Sequence, residues 1–229
     1  MHKLLIFDWD GTLVDSSEHI VQCIKVACSA TNEDFPGREA ASSIIGLGMH
    51  EALTELFGKR DKDFVDAFRH AYSEHFFSIT PSRRDLFPGV MDMLEHFRAE
   101  GFSMAVATGK SRQGMDYALQ SMGLENWFEG VRCADEAKSK PDPQMLRELL
   151  QEFDFGADQA IMIGDTEYDM DMAHRINMKR IAVSYGVHDV ERMRTYELGG
   201  IADHPLDIID IVAALTPKKT VPNTLNTTS

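Results

Sequence analysis

Positive charge is scarce in this sequence: 23 Lys and Arg stand against 37 Asp and Glu, a formal net charge of −14. Nucleic-acid backbones and anionic membrane surfaces repel such a chain at long range, which excludes both as expected partners. Apolar runs of membrane-span length are also absent. LLIF after Lys3 is too short for a signal-peptide core and is followed by no small-residue cleavage site, so a cytoplasmic protein is expected. Cysteine is equally sparse. Cys23 and Cys28 fall within one helical pattern and Cys133 stands alone, so no zinc or redox spacing exists and all three read as small packing residues. The nine histidines form no HExxH or paired spacing, which argues against a zinc centre.

What is present describes a folded chain of 229 residues, with 43% hydrophobic and 26% charged residues, enough for one core or a core with a smaller module. Short apolar runs ending in polar residues occur before Asp8, at 102–109, at 160–165 and at 180–186, with a weaker one at 130–134. Helical patterns follow them at 112–122, 143–153, 168–176, 189–197 and 206–215. This alternation predicts an α/β fold with a parallel sheet covered by helices on both faces. Residues 16–85 break it, since four successive stretches there show helical spacing with no strand signal, and Phe87-Pro88-Gly89 marks the return. The polar, aperiodic stretch 216–229 with its two prolines reads as a flexible tail. No internal repeat is visible. The thirteen methionines read as adaptable packing, and Gly46-Leu47-Gly48 lacks the third glycine and the preceding strand of a dinucleotide fingerprint.

Asp8 and Asp10 sit at the end of the first apolar run, with Gly11 free to bend the chain away behind them. In a parallel sheet, ligands bind at the carboxyl ends of strands, and Thr108 and Asp165 lie at two other such ends. Several carboxylates on one rim repel one another unless a cation lies among them, and Mg2+ suits hard oxygen ligands that also hold a phosphate. Lys110, at the start of a helix, reads as solvated.

Four motifs in order, Asp8-Trp9-Asp10-Gly11-Thr12, Thr108, Lys140-Pro141-Asp142-Pro143 and Gly164-Asp165-Thr166 with Asp169, resemble those of the haloacid dehalogenase superfamily of phosphohydrolases. The resemblance implies a Rossmann-like core over 1–15 and 86–215, with 16–85 as an inserted all-helical cap. It implies Asp8 as the nucleophile that forms an aspartyl-phosphate and Asp10 as general acid and base. It implies that the Asp8 side chain, the Asp10 backbone carbonyl and Asp165 bind Mg2+, while Asp169 orients a water on the metal. Thr108, the Gly109 N–H and Lys140 would compensate charge on the phosphoryl oxygens.

Asp10 speaks against a dehalogenase, which needs no such acid. A phosphomutase stays open, as does a phosphonatase using an imine-forming cap lysine among Lys25, Lys59 and Lys62, and so does a binding protein on the same scaffold. The core motifs are consumed by phosphate, metal and water, so the leaving group of a small phosphorylated metabolite is expected to meet residues 16–85. The turn Gly46–His50 is the chosen contact, with His50 as a substrate-binding residue. A helical cap at this point is similar to that of phosphoglycolate phosphatases.

Overall fold

Six short strands make one parallel sheet: β1 (Leu4–Phe7), β2 (Ser103–Thr108), β3 (Gly130–Cys133), β4 (Ala160–Gly164), β5 (Lys179–Val183) and β6 (Gly200–Ala202). Their spatial order is β3-β2-β1-β4-β5-β6, a doubly wound arrangement in which β1 lies between β2 and β4. The computed structural model describes residues 4–216, so the expected tail lies outside the described residues except for Thr216, which is buried and donates to the Val212 carbonyl at 2.7 Å.

The continuous apolar runs are explained by burial on both faces. Leu5 and Phe7 of β1 pack with α5 (Val90–Ala99), α6 (Arg112–Met122) and α10 (Asp207–Leu215), whereas Leu4 and Ile6 pack with α7 (Gln144–Phe153) and α8 (Glu167–His174). The alternation follows from the two-residue period of a strand. Four helices stand between β1 and α5 in the chain: α1 (Ser17–Ala30), α2 (Arg38–Ser43), α3 (Met49–Phe57) and α4 (Lys62–Phe77). They bury a separate apolar cluster that includes Ile20, Ile24, Ile44, Leu53 and Phe68.

Three elements differ from the sequence reading. α5 was not anticipated, although Val90, Met93, Leu94 and Phe97 carry its buried stripe. β6 has only three residues, too few to display a period. The expected helix at 189–197 is a four-residue helix, α9 (Val190–Met193), continued by a 3-10 turn to Tyr196. Among the described residues no helix is long and apolar enough to cross a membrane.

Candidate active site

The site is built where β1, β2 and β4 end side by side. Asp8 extends the ladder one residue past β1, its N–H donating to Ile163 O at 2.9 Å. Trp9 turns into the core and meets Phe128 edge-on, which anchors the short segment between the two aspartates. Gly11 then takes φ +84°, and a Cβ placed there would stand 2.2 Å from Asp165 Oδ2. Both the turn and the close approach therefore require glycine. Asp165 is fixed from two sides, by the Thr12 hydroxyl at 2.9 Å and the Val187 N–H at 2.9 Å. Thr166 caps α8 in a reciprocal pair with Asp169. The Thr166 hydroxyl accepts from the Asp169 N–H at 3.3 Å, while Asp169 Oδ2 accepts from the Thr166 N–H at 3.1 Å and its hydroxyl at 2.7 Å. That pair occupies Oδ2 and leaves Oδ1 for the site.

Lys140 closes the cluster. Its ammonium is buried, 2.8 Å from Asp8 Oδ1 and 2.7 Å from Asp169 Oδ1. Lys140 is the one partner of Asp8 Oδ1 and Asp169 Oδ1, and Asp8 Oδ2 is buried without a partner. Asp8, Asp165 and Asp169 each present an oxygen within 4.8 Å of the others. Burial pushes the Asp8 carboxyl well above the usual range, Lys140 opposes this, and Asp169 and Asp165 add to it. Burial and the Asp169 charge push Asp165 up to about 7 against the pull of the Val187 N–H, Thr12 and Lys140. Burial alone would depress Lys140, but Asp169 and Asp8 outweigh it and hold the ammonium charged. Three acids thus share one chain cation, and their hard oxygens converge. This donor set fits a small divalent cation such as magnesium.

The carboxylate of Asp10 does not join the cluster. It accepts from the Ser16 hydroxyl at 2.6 Å and from Lys110 Nζ at 2.9 Å. Lys110 corrects the sequence reading: its side chain is 9% exposed, with the ammonium 4.7 Å from the centre of the Phe76 ring. The missed signal was its position two residues beyond a strand end, where a side chain is directed over the rim. Thr108 is buried at the end of β2, and its hydroxyl accepts from the Lys110 N–H at 3.2 Å. A Cβ on Gly109 would lie 2.5 Å from Gly46 O and 2.7 Å from Leu47 O, so the turn before α3 rests directly on this residue. His50 is exposed on α3 and faces a groove of about 560 Å³ whose wall also includes Lys140, Pro141 and Tyr168. Lys25, Lys59 and Lys62 are all exposed.

The pattern of haloacid dehalogenase-like hydrolases matches residues 5–183. A Dickeya dadantii (strain 3937) protein named "Probable phosphatase IndB" is 33% identical over 94% of this chain and 95% of its own length. A phosphoglycolate phosphatase of Agrobacterium fabrum is 26% identical over 95% of this chain and 92% of its own. The fold is shared with a hydrolase from Pseudomonas syringae, with a TM-score of 0.82 and 21% identity over 94% of this chain and 100% of that one. With the match running from β1 through β5 and taking in Asp8, Thr108, Lys140 and Asp165, the chain belongs to the haloacid dehalogenase-like hydrolases.

Proposed function

We propose that this hydrolase is a phosphatase acting on a small phosphomonoester through an aspartyl-phosphate on Asp8. The observation that carries the reading is the buried Asp8 carboxylate at the rim of the sheet, with Oδ1 held by Lys140 at 2.8 Å and Oδ2 without a partner. Lys140 opposes the effect of burial and favours the ionised form, in which the partnerless oxygen can attack phosphorus. The Asp8 carboxylate forms the new bond to phosphorus as the ester P–O bond breaks, and Asp10 gives its proton to the departing oxygen. Water then attacks phosphorus, Asp10 takes its proton, inorganic phosphate leaves and Asp8 is restored. Ser16 and Lys110 hold the Asp10 carboxylate in place for both transfers. The Thr108 hydroxyl, the Gly109 N–H and Lys140 supply donors and charge to the phosphoryl oxygens.

Magnesium, held by Asp8, Asp165 and the Asp10 carbonyl with Asp169 beside them, would supply positive charge to the transferring phosphoryl group. The net charge of −14 makes this local positive potential necessary for an anionic substrate. Residues 16–85 act as a cap on a core formed by 1–15 and 86–215, and the separate apolar cluster of α1–α4 supports that division. His50 contacts substrate only if the groove beside Tyr168 is used. A cytoplasmic setting is supported by three free, buried cysteines. No observation favours a phosphonatase, since the three cap lysines considered for an imine point to solvent.

The test is Asp8→Asn, an isosteric change that removes the nucleophile. Magnesium-dependent hydrolysis of methyl phosphate should fall at least about a thousandfold with the thermal midpoint retained. Activity near that of the parent would refute the assignment.

A further inference from the structure

We infer that the substrate's leaving group is apolar, a short branched alkyl alcohol, rather than a carboxylate, a second phosphate or a polyol; this rests on the phosphatase reading above. A cavity of about 100 Å³ lies between the helical layer and the rim, and Asp10, Gly109 and Lys110 form part of its wall. It therefore opens on the residue assigned to protonate the leaving oxygen. The rest of its wall is apolar, with Ile20 and Ile24 of α1, Ile45, Leu53 of α3 and Phe68 of α4.

Charge decides what this cavity accepts. Asp10 and Lys110 are the only charged residues lining it, and they are paired with each other at 2.9 Å. The one cation there, Lys110, already donates to Asp10 Oδ1 and lies over the Phe76 ring, so an anionic tail would have to displace those contacts to be matched. Tyr72 provides the only hydroxyl side chain in the lining. A polyol would therefore surrender several hydrogen bonds to water and recover few. Size sets the other limit: a dry cavity of about 150 Å³ lined by Leu, Ile and Phe accommodates benzene, so this one suits a group of about five carbons.

On this reading phosphoglycolate, whose leaving group carries a carboxylate, is a poor substrate. The turn Gly46-Leu47 lines this cavity, whereas His50 does not. The part of the turn that reads the leaving group is thus its glycine end.

The test compares kcat/KM of the full chain with magnesium on methyl phosphate, 3-methylbutyl phosphate, phosphoglycolate and pyrophosphate. The two alkyl esters release alcohols of similar basicity, so their intrinsic reactivity largely cancels. One methylene in an apolar pocket is worth roughly 10- to 200-fold, so 3-methylbutyl phosphate should exceed methyl phosphate and phosphoglycolate by at least about tenfold. Ala52→Leu, which fills part of the cavity, should lower the ratio of 3-methylbutyl to methyl phosphate by about tenfold. Faster hydrolysis of phosphoglycolate or pyrophosphate than of 3-methylbutyl phosphate overturns the inference alone, and so does an unchanged ratio in a folded Ala52→Leu protein. If that variant does not fold, the four-substrate comparison decides. Absence of turnover on all four esters and anhydrides overturns the phosphatase reading, and the inference falls with it.

Discussion

Replacing Lys140 with methionine tests the charge arrangement most directly, because the side chain is nearly isosteric and its surroundings are sealed from water. The change removes the ammonium 2.8 Å from Asp8 and 2.7 Å from Asp169, leaving three buried carboxylates with no chain cation. Breaking a buried pair by removing one partner costs about 3–5 kcal/mol. The site has an escape, however, since a carboxylate can take up a proton. Protonating one carboxylate of ordinary pKa about 3.9 costs about 4 kcal/mol at pH 7 and about 1.5 kcal/mol at pH 5. The loss is therefore capped by those figures. Asp8 and Asp165 already have raised folded pKa values, so the stability tied to them is present below the ordinary carboxylate range and lost as pH rises through the folded values. Lys140→Met should steepen that loss. With chelator present and about 2–4 °C of midpoint per kcal/mol for a chain of this size, the variant should melt about 8–16 °C lower at pH 7 but only about 3–6 °C lower at pH 5. Adding Asp169→Asn should recover much of the stability at pH 7 without restoring turnover. A single variant as stable as the parent at pH 7, or a deficit independent of pH, would show that Lys140 does not neutralise this cluster.

Asp10→Asn should reduce kcat by about 100- to 10,000-fold and let phosphorylated protein accumulate on intact-mass measurement, because water attack then lacks its base; a fully active variant would remove Asp10 from the proton transfers. Chelation should abolish hydrolysis and magnesium restore it, while calcium, with longer bonds and more ligands, should not; equal rates with the two ions would count against the site. Gly109→Ala places a methyl 2.5 Å from Gly46 O, so it should lift the turn before α3, raising KM and speeding amide exchange at Gly46 and Leu47. Parental KM and exchange in that variant would mean the seam does not seat substrate.

Strands showed themselves in the sequence where burial on both faces enforced an unbroken apolar run, as in LLIF and AIMIG. β6 escaped because an edge strand of three residues, two of them half-exposed, carries no such run. α5 was legible in principle: Val90, Met93, Leu94 and Phe97 are spaced as one helical face, and the preceding Pro-Gly signal drew the boundary without prompting a search beyond it. At the site, Asp8, Asp165, Asp169 and Lys140 do converge, although no local spacing relates Lys140 to the others. Only the sheet order brings the loop after β3 against the ends of β1 and β4. Lys110 was misread because exposure at a helix start is the local rule, whereas α1 and α4 lie over it, contributing Ser16 to its partner Asp10 and Phe76 to its ammonium.

The seam between the helical layer and the sheet rim is held by few polar contacts. Ser43 O accepts from Tyr168 Oη at 3.0 Å and lies 2.9 Å from His188 Nε2, while the Gly48 N–H donates to Ser139 Oγ at 2.8 Å. The Glu167 N–H donates to His188 Nδ1 at 3.2 Å, which assigns the proton to Nε2 and makes His188 a donor to Ser43. Each such bond contributes about 0.5–1.5 kcal/mol net, so the three that involve Ser43 and Gly48 together contribute about 1.5–4.5 kcal/mol. A ligand held at millimolar strength brings about 4 kcal/mol. The two quantities are comparable, so opening the seam is within reach of the energy exchanged in each binding event. Tyr168 follows Asp165 and Thr166 and precedes Asp169, so the start of α8 that shapes the carboxylate cluster also holds the layer above it. The same short segment therefore positions the charges and contacts the helical layer above them.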